Sequence, residues 1–373
     1  VDLSCQKSGN EVIIFITLDI SSSVKHFDMV SPLFNHLLIP FLIAIFLAIN
    51  MGGSGTAPAF SAAFGANILK KSVIPGLFGI FVFIGALLAG KATATTVGQD
   101  LFPADKLSLT LVSIILFSVA IALLGANLLG IPQSTSQATV LSVSGAAVYF
   151  HLLNTEKLFL QIIPTWFILP VVSFLICYFV GRFVYIPIRK TGIFTYRNIT
   201  KHPILRYLVI IMSCYVAFAI GSNNVANASG PIASMTINEL GIQDQEKNRI
   251  LILILSTLII APSFGIGSSI FGQKIVKRTG KGIFLFGPIE AVIISFVTAS
   301  LLLFASVWKG IPSSLVQLNT GAIIGIGVSR LGFKNIFKKT EVNRFFLIWV
   351  IAPLFAFLFS LLLTWLADRY SLL

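Results

Sequence analysis

Three asparagines, Asn223, Asn224 and Asn227, stand at spacings of one and three inside an otherwise apolar stretch. Each carboxamide brings two donors and a carbonyl acceptor without a charge. Neutral hydrogen-bonding residues gather at three more places: Ser54 and Thr56 within Asn50–Ser61, Gln133, Ser134, Thr135 and Gln137 within Gly130–Thr139, and Ser313, Ser314 and Gln317 within Gly310–Asn319. Mixed with Gly and Pro, such groups have the chemistry of a donor cage. A tetrahedral oxyanion is held by half-helix N-termini together with Ser, Thr, Asn and Gln side chains. Small residues also have a plainer use: they let membrane helices approach closely, and Ser or Thr can bond back to its own helix. It is the recurrence of the clusters as two matched pairs that favours a site.

These residues need elements that cross a membrane. The chain has 373 residues, 56% hydrophobic and only 10% charged, against roughly a quarter charged in soluble domains. Apolar runs of about 20 residues suffice to cross a hydrocarbon core of about 30 Å as helix. Reading those runs against polar and Pro/Gly breaks gives an all-α polytopic membrane protein. About ten segments are expected: 37–51, 73–90, 107–129, 133–150, 164–186, 205–221 continuing to about 237, 250–271, 283–307, 313–328 and 345–366. Gly, Pro and polar clusters inside such runs predict broken helices or hairpins around a cavity.

The net charge of +13 is carried by Lys and Arg in short segments between the apolar runs. That placement reflects topology, so nucleic acid is not an expected partner. Arg189, Lys190, Arg197, Lys201 and Arg206 mark a cytoplasmic loop, as do Lys274–Lys281 and Arg330–Arg344, which leaves both termini outside. Residues 12–20 are too short to span, and 1–30 reads as an N-terminal extension. Cys5, Cys177 and Cys214 are widely separated and read as packing residues. The four histidines form no metal constellation, so neither a metal nor another cofactor is expected.

An internal repeat links the clusters. G-G-S-G-T-A-P-A-F-S from Gly52 is similar to G-S-N-N-V-A-N-A-S-G from Gly221, an offset of 169 residues (221 − 52). G-I-P-Q-S-T from Gly130 is matched by G-I-P-S-S-L from Gly310, an offset of 180 (310 − 130). The expected organisation is a first repeat at 31–186, a basic cytoplasmic linker at 187–204 and a second repeat at 205–373. With an odd number of crossings per half, the second repeat enters inverted, an arrangement found in secondary transporters.

G-S-N-N-V-A-N-A-S-G-P at Gly221–Pro231 resembles the G-A-N-D-V-A-N-A signature of the inorganic phosphate transporter (PiT) family, and G-I-P-Q-S-T-S-Q at Gly130–Gln137 resembles its G-L-P-V-S-T-T-H element. G-Q-K-I-V-K-R-T-G at Gly272–Gly280 adds to the match, which extends over nearly all of Pro32–Leu366. The resemblance implies a carrier with anion and coupling cation bound at midmembrane. It extends to members that carry sulfate. Departures are informative: the signature Asp is replaced by Asn224 in the second motif and by Gly55 in the first, and the first-motif asparagines become Ser54 and Pro58. The hairpin histidines are replaced by Gln137 and Gln317. Neutral oxygens then remain as cation ligands, which weakens the expectation of sodium coupling. A cage without carboxylates suits sulfate, which at neutral pH has no proton to place, better than hydrogen phosphate.

One acid, Glu290, falls within an expected span. It has two readings: a proton-coupling group, or an acid at the first turn of a helix begun by Pro288. The sequence therefore predicts a permease for phosphate or sulfate, driven by a Na+ or H+ gradient. A passive anion channel is the alternative, and an enzyme is disfavoured because no catalytic pair lies within the spans. Its partners would be the oxyanion and membrane lipid, in the plasma membrane, with a homodimer compatible with the sequence.

Overall fold

The structure is a computed structural model. It describes residues 2–8, 11–17, 20–65, 68–130, 133–187, 203–242, 246–272, 275, 287–337 and 340–373, with side chains from residue 36 onward except at 65 and 337–348. Residues 188–202 of the basic linker expected at 187–204, the loop bearing Lys274, Lys277, Arg278 and Lys281, and Ile131–Pro132 lie outside the described residues.

Two compact units divide after Ile39. Val1–Ile39 contains an antiparallel hairpin of β1 (Asp2–Ser8) and β2 (Glu11–Thr17), with Asp2 opposite Thr17 and Ser8 opposite Glu11. The second unit, Pro40–Leu373, is helical. Its elements are α1 (Ile20–Gly65, which begins in the first unit), α2 (Ile74–Ala89), α3 (Lys91–Asp100), α4 (Leu109–Leu129), α5 (Thr135–Tyr149), α6 (Lys157–Tyr185), α7 (Pro203–Glu239), α8 (Glu246–Gly272), α9 (Pro288–Trp308), α10 (Leu315–Leu331), α11 (Phe333–Phe337) and α12 (Thr340–Arg369).

Among the described residues seven helices are long and apolar enough to cross a membrane, or eight if α2 and α3, bent by 73°, make one span. The expected segments at 133–150 and 313–328 are instead helices of 15 and 17 residues, each preceded by a turn. Such lengths cover about 22 and 25 Å at 1.5 Å per residue, short of the hydrocarbon thickness. The protein is thus a multi-pass membrane protein with fewer full spans than the apolar runs suggested.

A second difference concerns the polar clusters. Only two of the four interrupt the helices. Asn50–Ser61 lies wholly within α1, and Gly221–Ser234 lies within α7, where Gly221–Val225 forms a wider turn but the helix continues. The reason is local: Ser54 Oγ donates to Met51 O (3.1 Å), Thr56 Oγ1 to Gly52 O (2.7 Å) and Ser222 Oγ to Ala219 O (2.9 Å), so these hydroxyls are satisfied without opening the helix.

Small residues set how closely the spans approach, as expected where lipid is as apolar as the helix surface. A Cβ on Gly52 would overlap the carbonyl oxygen of Phe264 in α8, and one on Gly221 would overlap that of Val82 in α2. The glycines are 169 residues apart (221 − 52) and their neighbours 182 (264 − 82). Likewise Gly145 of α5 lies against Phe357 of α12, and Gly325 of α10 against Phe174 of α6. Here the offsets are 180 (325 − 145) and 183 (357 − 174). α5 packs along α12 and α10 along α6, so each short helix rests on a long one from the other half of the chain. Cys177, Ile294 and Ile326 join α6, α9 and α10 in one apolar cluster.

Candidate functional site

Two turns of the same sequence pattern organise the site. Gly130 ends α4 in the left-handed region (φ 69°), and the chain then reaches Ser134, whose Oγ accepts the Gln137 N–H at 3.3 Å and starts α5. Gly310 (φ 61°) precedes Ser314, whose Oγ accepts the Gln317 N–H at 3.3 Å and starts α10. Glycine is favoured at both turns because positive φ strains residues with a Cβ. A capping serine that accepts through Oγ still has its own O–H to donate. Each N-terminus also carries the positive end of its helix dipole.

Between these N-termini lies a tight cleft of about 10 Å³, room for about one water in this conformation, lined by Ser54, Gly55 and Pro58 of α1, Gln133, Ser134 and Thr135, Ile220 and Asn224 of α7, and Ser314, Leu315 and Val316. No acid, base or histidine is among them. At its flank the side chains of Gln137 and Gln317 form a reciprocal pair, each Nε2 donating to the other's Oε1 at 3.0 Å.

Asn223 organises what lies behind the cleft. Its Nδ2, which has two hydrogens to share, lies within hydrogen-bond distance of three acceptors, Ser136 Oγ (2.8 Å), Ser313 O (2.9 Å) and Asn224 Oδ1 (2.6 Å), while its Oδ1 accepts from Ser313 N (2.9 Å) and Ser306 Oγ (3.3 Å). This single buried side chain therefore ties α7 to α5, α9 and the turn before α10. Its contact with Asn224 Oδ1 fixes the orientation of the neighbouring amide, which lines the cleft. Asn227 Nδ2 donates to Ser136 Oγ at 3.1 Å. Asn227 Oδ1 and both polar atoms of the buried Gln133 have no hydrogen-bond partner among the described residues.

The candidate residues thus sort into groups. Ser54, Gln133, Ser134, Thr135, Asn224 and Ser314 line the cleft, and Asn223, Asn227, Ser313, Gln137 and Gln317 surround it. Thr56 does not line it; its side chain faces Gly272 of α8. Glu290 sits apart, in the first turn of α9, buried and 2.9 Å from Arg330 Nη1. Ser136 and Ser306 were not singled out in the sequence. Ser136 had a signal, since it lies within the G-I-P-Q-S-T-S-Q element, whereas Ser306 is a lone serine in an apolar run. Among the described residues no three His, Cys, Asp or Glu side chains cluster as a metal site. The arrangement can bind an anion by neutral donors and two helix N-termini, with the surrounding amides fixing their direction.

Known proteins place this architecture. Residues 51–360 match the phosphate transporter family (PHO4). The sulfate permease CysP of Bacillus subtilis (strain 168) is 32% identical over 340 residues, covering 90% of each chain. A solved structure described as the sodium-dependent phosphate transporter superposes with a TM-score of 0.76 at 20% identity, covering 90% of this chain and 99% of its own, and so shares its fold. The two G-I-P turns, the paired short helices and the asparagine cluster all fall inside the matched region, and the chain belongs to the phosphate transporter family.

Proposed function

We propose that this chain is a secondary transporter that carries sulfate in preference to phosphate across the plasma membrane, using a Na+ or H+ gradient. One observation carries the reading: the cleft between the α5 and α10 N-termini is lined by neutral side chains and contains no carboxylate, the strongest acceptor for a phosphate proton. Sulfate at neutral pH needs donors only, whereas hydrogen phosphate brings a proton that needs an acceptor. The relative named as a sulfate permease agrees with this chemistry. The family name supports phosphate as the second reading.

Alternating access between two inverted repeats is part of the proposal. It is supported by the reciprocal packing of α5 on α12 and α10 on α6, and by the repeated glycine contacts at near-constant offsets. The Gln137–Gln317 pair joins the two hairpins at equivalent positions, so it is a contact that rocking of one half against the other would break.

Uptake of labelled sulfate and labelled phosphate by purified protein in liposomes, with sodium and proton gradients imposed separately, tests this reading. Sulfate accumulation is expected, with counterflow distinguishing a carrier from a channel. Asn224→Ala should abolish uptake while leaving membrane insertion intact, and wild-type transport by that variant would refute the placement of the site.

A further inference from the structure

The cleft contains one side chain, Gln133, whose polar groups are both unpaired among the described residues. Gln133 is 1% exposed, yet neither its Nε2 nor its Oε1 has a hydrogen-bond partner among the described residues. It lines the cleft beside Ser134, which caps α5. Burying a carboxamide in this state costs free energy on both the donor and the acceptor side. Its neighbours show how differently the fold treats amides. Asn223 has partners at both ends, Gln137 and Gln317 pair with each other, and Asn224 Oδ1 accepts from Asn223. A membrane packing role would be served by an apolar side chain of the same size without that cost.

We infer that Gln133 is the specificity-determining residue of this site, its Nε2 donating to an oxygen of a fully deprotonated tetrahedral dianion of the sulfate class. The inference rests on the proposed function and adds the residue that decides between anions. The Ser134 and Ser314 oxygens accept from helix N–H groups and the Asn224 carbonyl accepts from Asn223. The Gln133 carboxamide is then the amide of the cleft whose donor and acceptor ends are both uncommitted. Toward sulfate the donor end is used. An anion bearing a proton is matched only when its O–H faces Oε1, because an O–H facing Nε2 sets two donors against each other, whereas every oxygen of a fully deprotonated anion suits the donor.

The test uses proteoliposomes of the wild type, Gln133→Leu, Gln133→Glu and Asn224→Ala, with thermal unfolding of each purified protein as a check on folding. Gln133→Leu keeps the volume and removes both polar ends. Its KM for sulfate should rise about 10- to 100-fold, the loss expected for one hydrogen bond to a charged group, with maximal rate little changed. Gln133→Glu replaces the donor with an anionic acceptor, so sulfate uptake should be lost while phosphate uptake persists and increases toward mildly acidic pH, where more of the phosphate is protonated. If Gln133→Leu fails the folding check, Gln133→Asn carries the same measurement: it keeps the amide but withdraws it by one methylene, and its sulfate KM should still rise. Unchanged sulfate-to-phosphate selectivity in all folded Gln133 variants, with uptake abolished in Asn224→Ala, would overturn the role of Gln133 and leave the site standing. A wild type that accumulates neither anion would overturn the functional reading and this inference together.

Discussion

The first signature segment, Asn50–Ser61 in α1, and its counterpart Gly221–Ser234 in α7 are alike in how their backbones pack and unlike in what their side chains do. Gly52 and Gly221 each bring a helix backbone against a carbonyl of a neighbouring span. In α1 Ser54 and Thr56 turn inward on their own helix, to Met51 O and Gly52 O, and one side-chain bond leaves the segment, from Asn127 of α4 to Asn50 Oδ1. In α7 Asn223 reaches out to Ser136, Ser306 and Ser313 on three other parts of the structure. A repeated scaffold therefore supports an unequal division of chemistry: α1 supplies a close wall of small residues, and α7 supplies the side chain that orients the cleft.

The largest effects should fall where the two segments are alike. Gly52→Val and Gly221→Val each place atoms inside a neighbouring backbone that cannot yield, so both should prevent recovery of monodisperse protein; a folded, active variant at either position would break the equivalence. Next comes the difference. Asn223→Leu orphans several buried groups at roughly 1–3 kcal/mol each, so it should lower the unfolding temperature markedly and abolish uptake. Ser54→Ala should leave stability within about 0.5 kcal/mol, the range of a substitution that removes no long-range contact. Comparable losses in the two variants would show that the division of chemistry is wrong.

Smaller effects sharpen the picture at its edges. For the reciprocal amide pair, Gln137→Leu and Gln317→Leu in a double-mutant cycle should give a coupling energy of about 1–2 kcal/mol by thermal unfolding, in the range for directly bonded residues; additivity would dissolve the pair. Least of all, Glu290→Gln should cost about 1 kcal/mol of stability, below the value for a fully buried pair because Arg330 is 23% exposed. It should leave proton-driven uptake in place. Loss of proton-driven but not of facilitated exchange would instead assign the coupling proton to Glu290.

Much of the site could be read from residue types. Ser134 and Ser314 are standard helix-capping residues after Gly-x-Pro turns, and the recurrence of G-I-P at Gly130 and Gly310 marked both turns. Thr56 falls outside the cleft lining because its hydroxyl bonds to Gly52 O one turn back, and sequence does not tell which way such a hydroxyl turns. Ser306 was invisible, since a lone serine in an apolar run is ordinary; only its approach to Asn223 makes it part of the network. The segments expected at 133–150 and 313–328 coincide within a few residues with α5 and α10, whose lengths fall short of a full span.

Composition, charge placement and the repeated motifs were enough to determine a multi-pass membrane protein with four polar clusters in two related pairs, because the need to bury apolar surface and pair backbone groups is written in local sequence. Tertiary structure decided which clusters are turns and which stay helical. It also decided that Asn223 is engaged, that Gln133 has no partner among the described residues, and that Gln137 meets Gln317 across 180 residues of chain. A hydrogen bond depends on a partner brought close by packing, and no residue type specifies by itself which partner that will be.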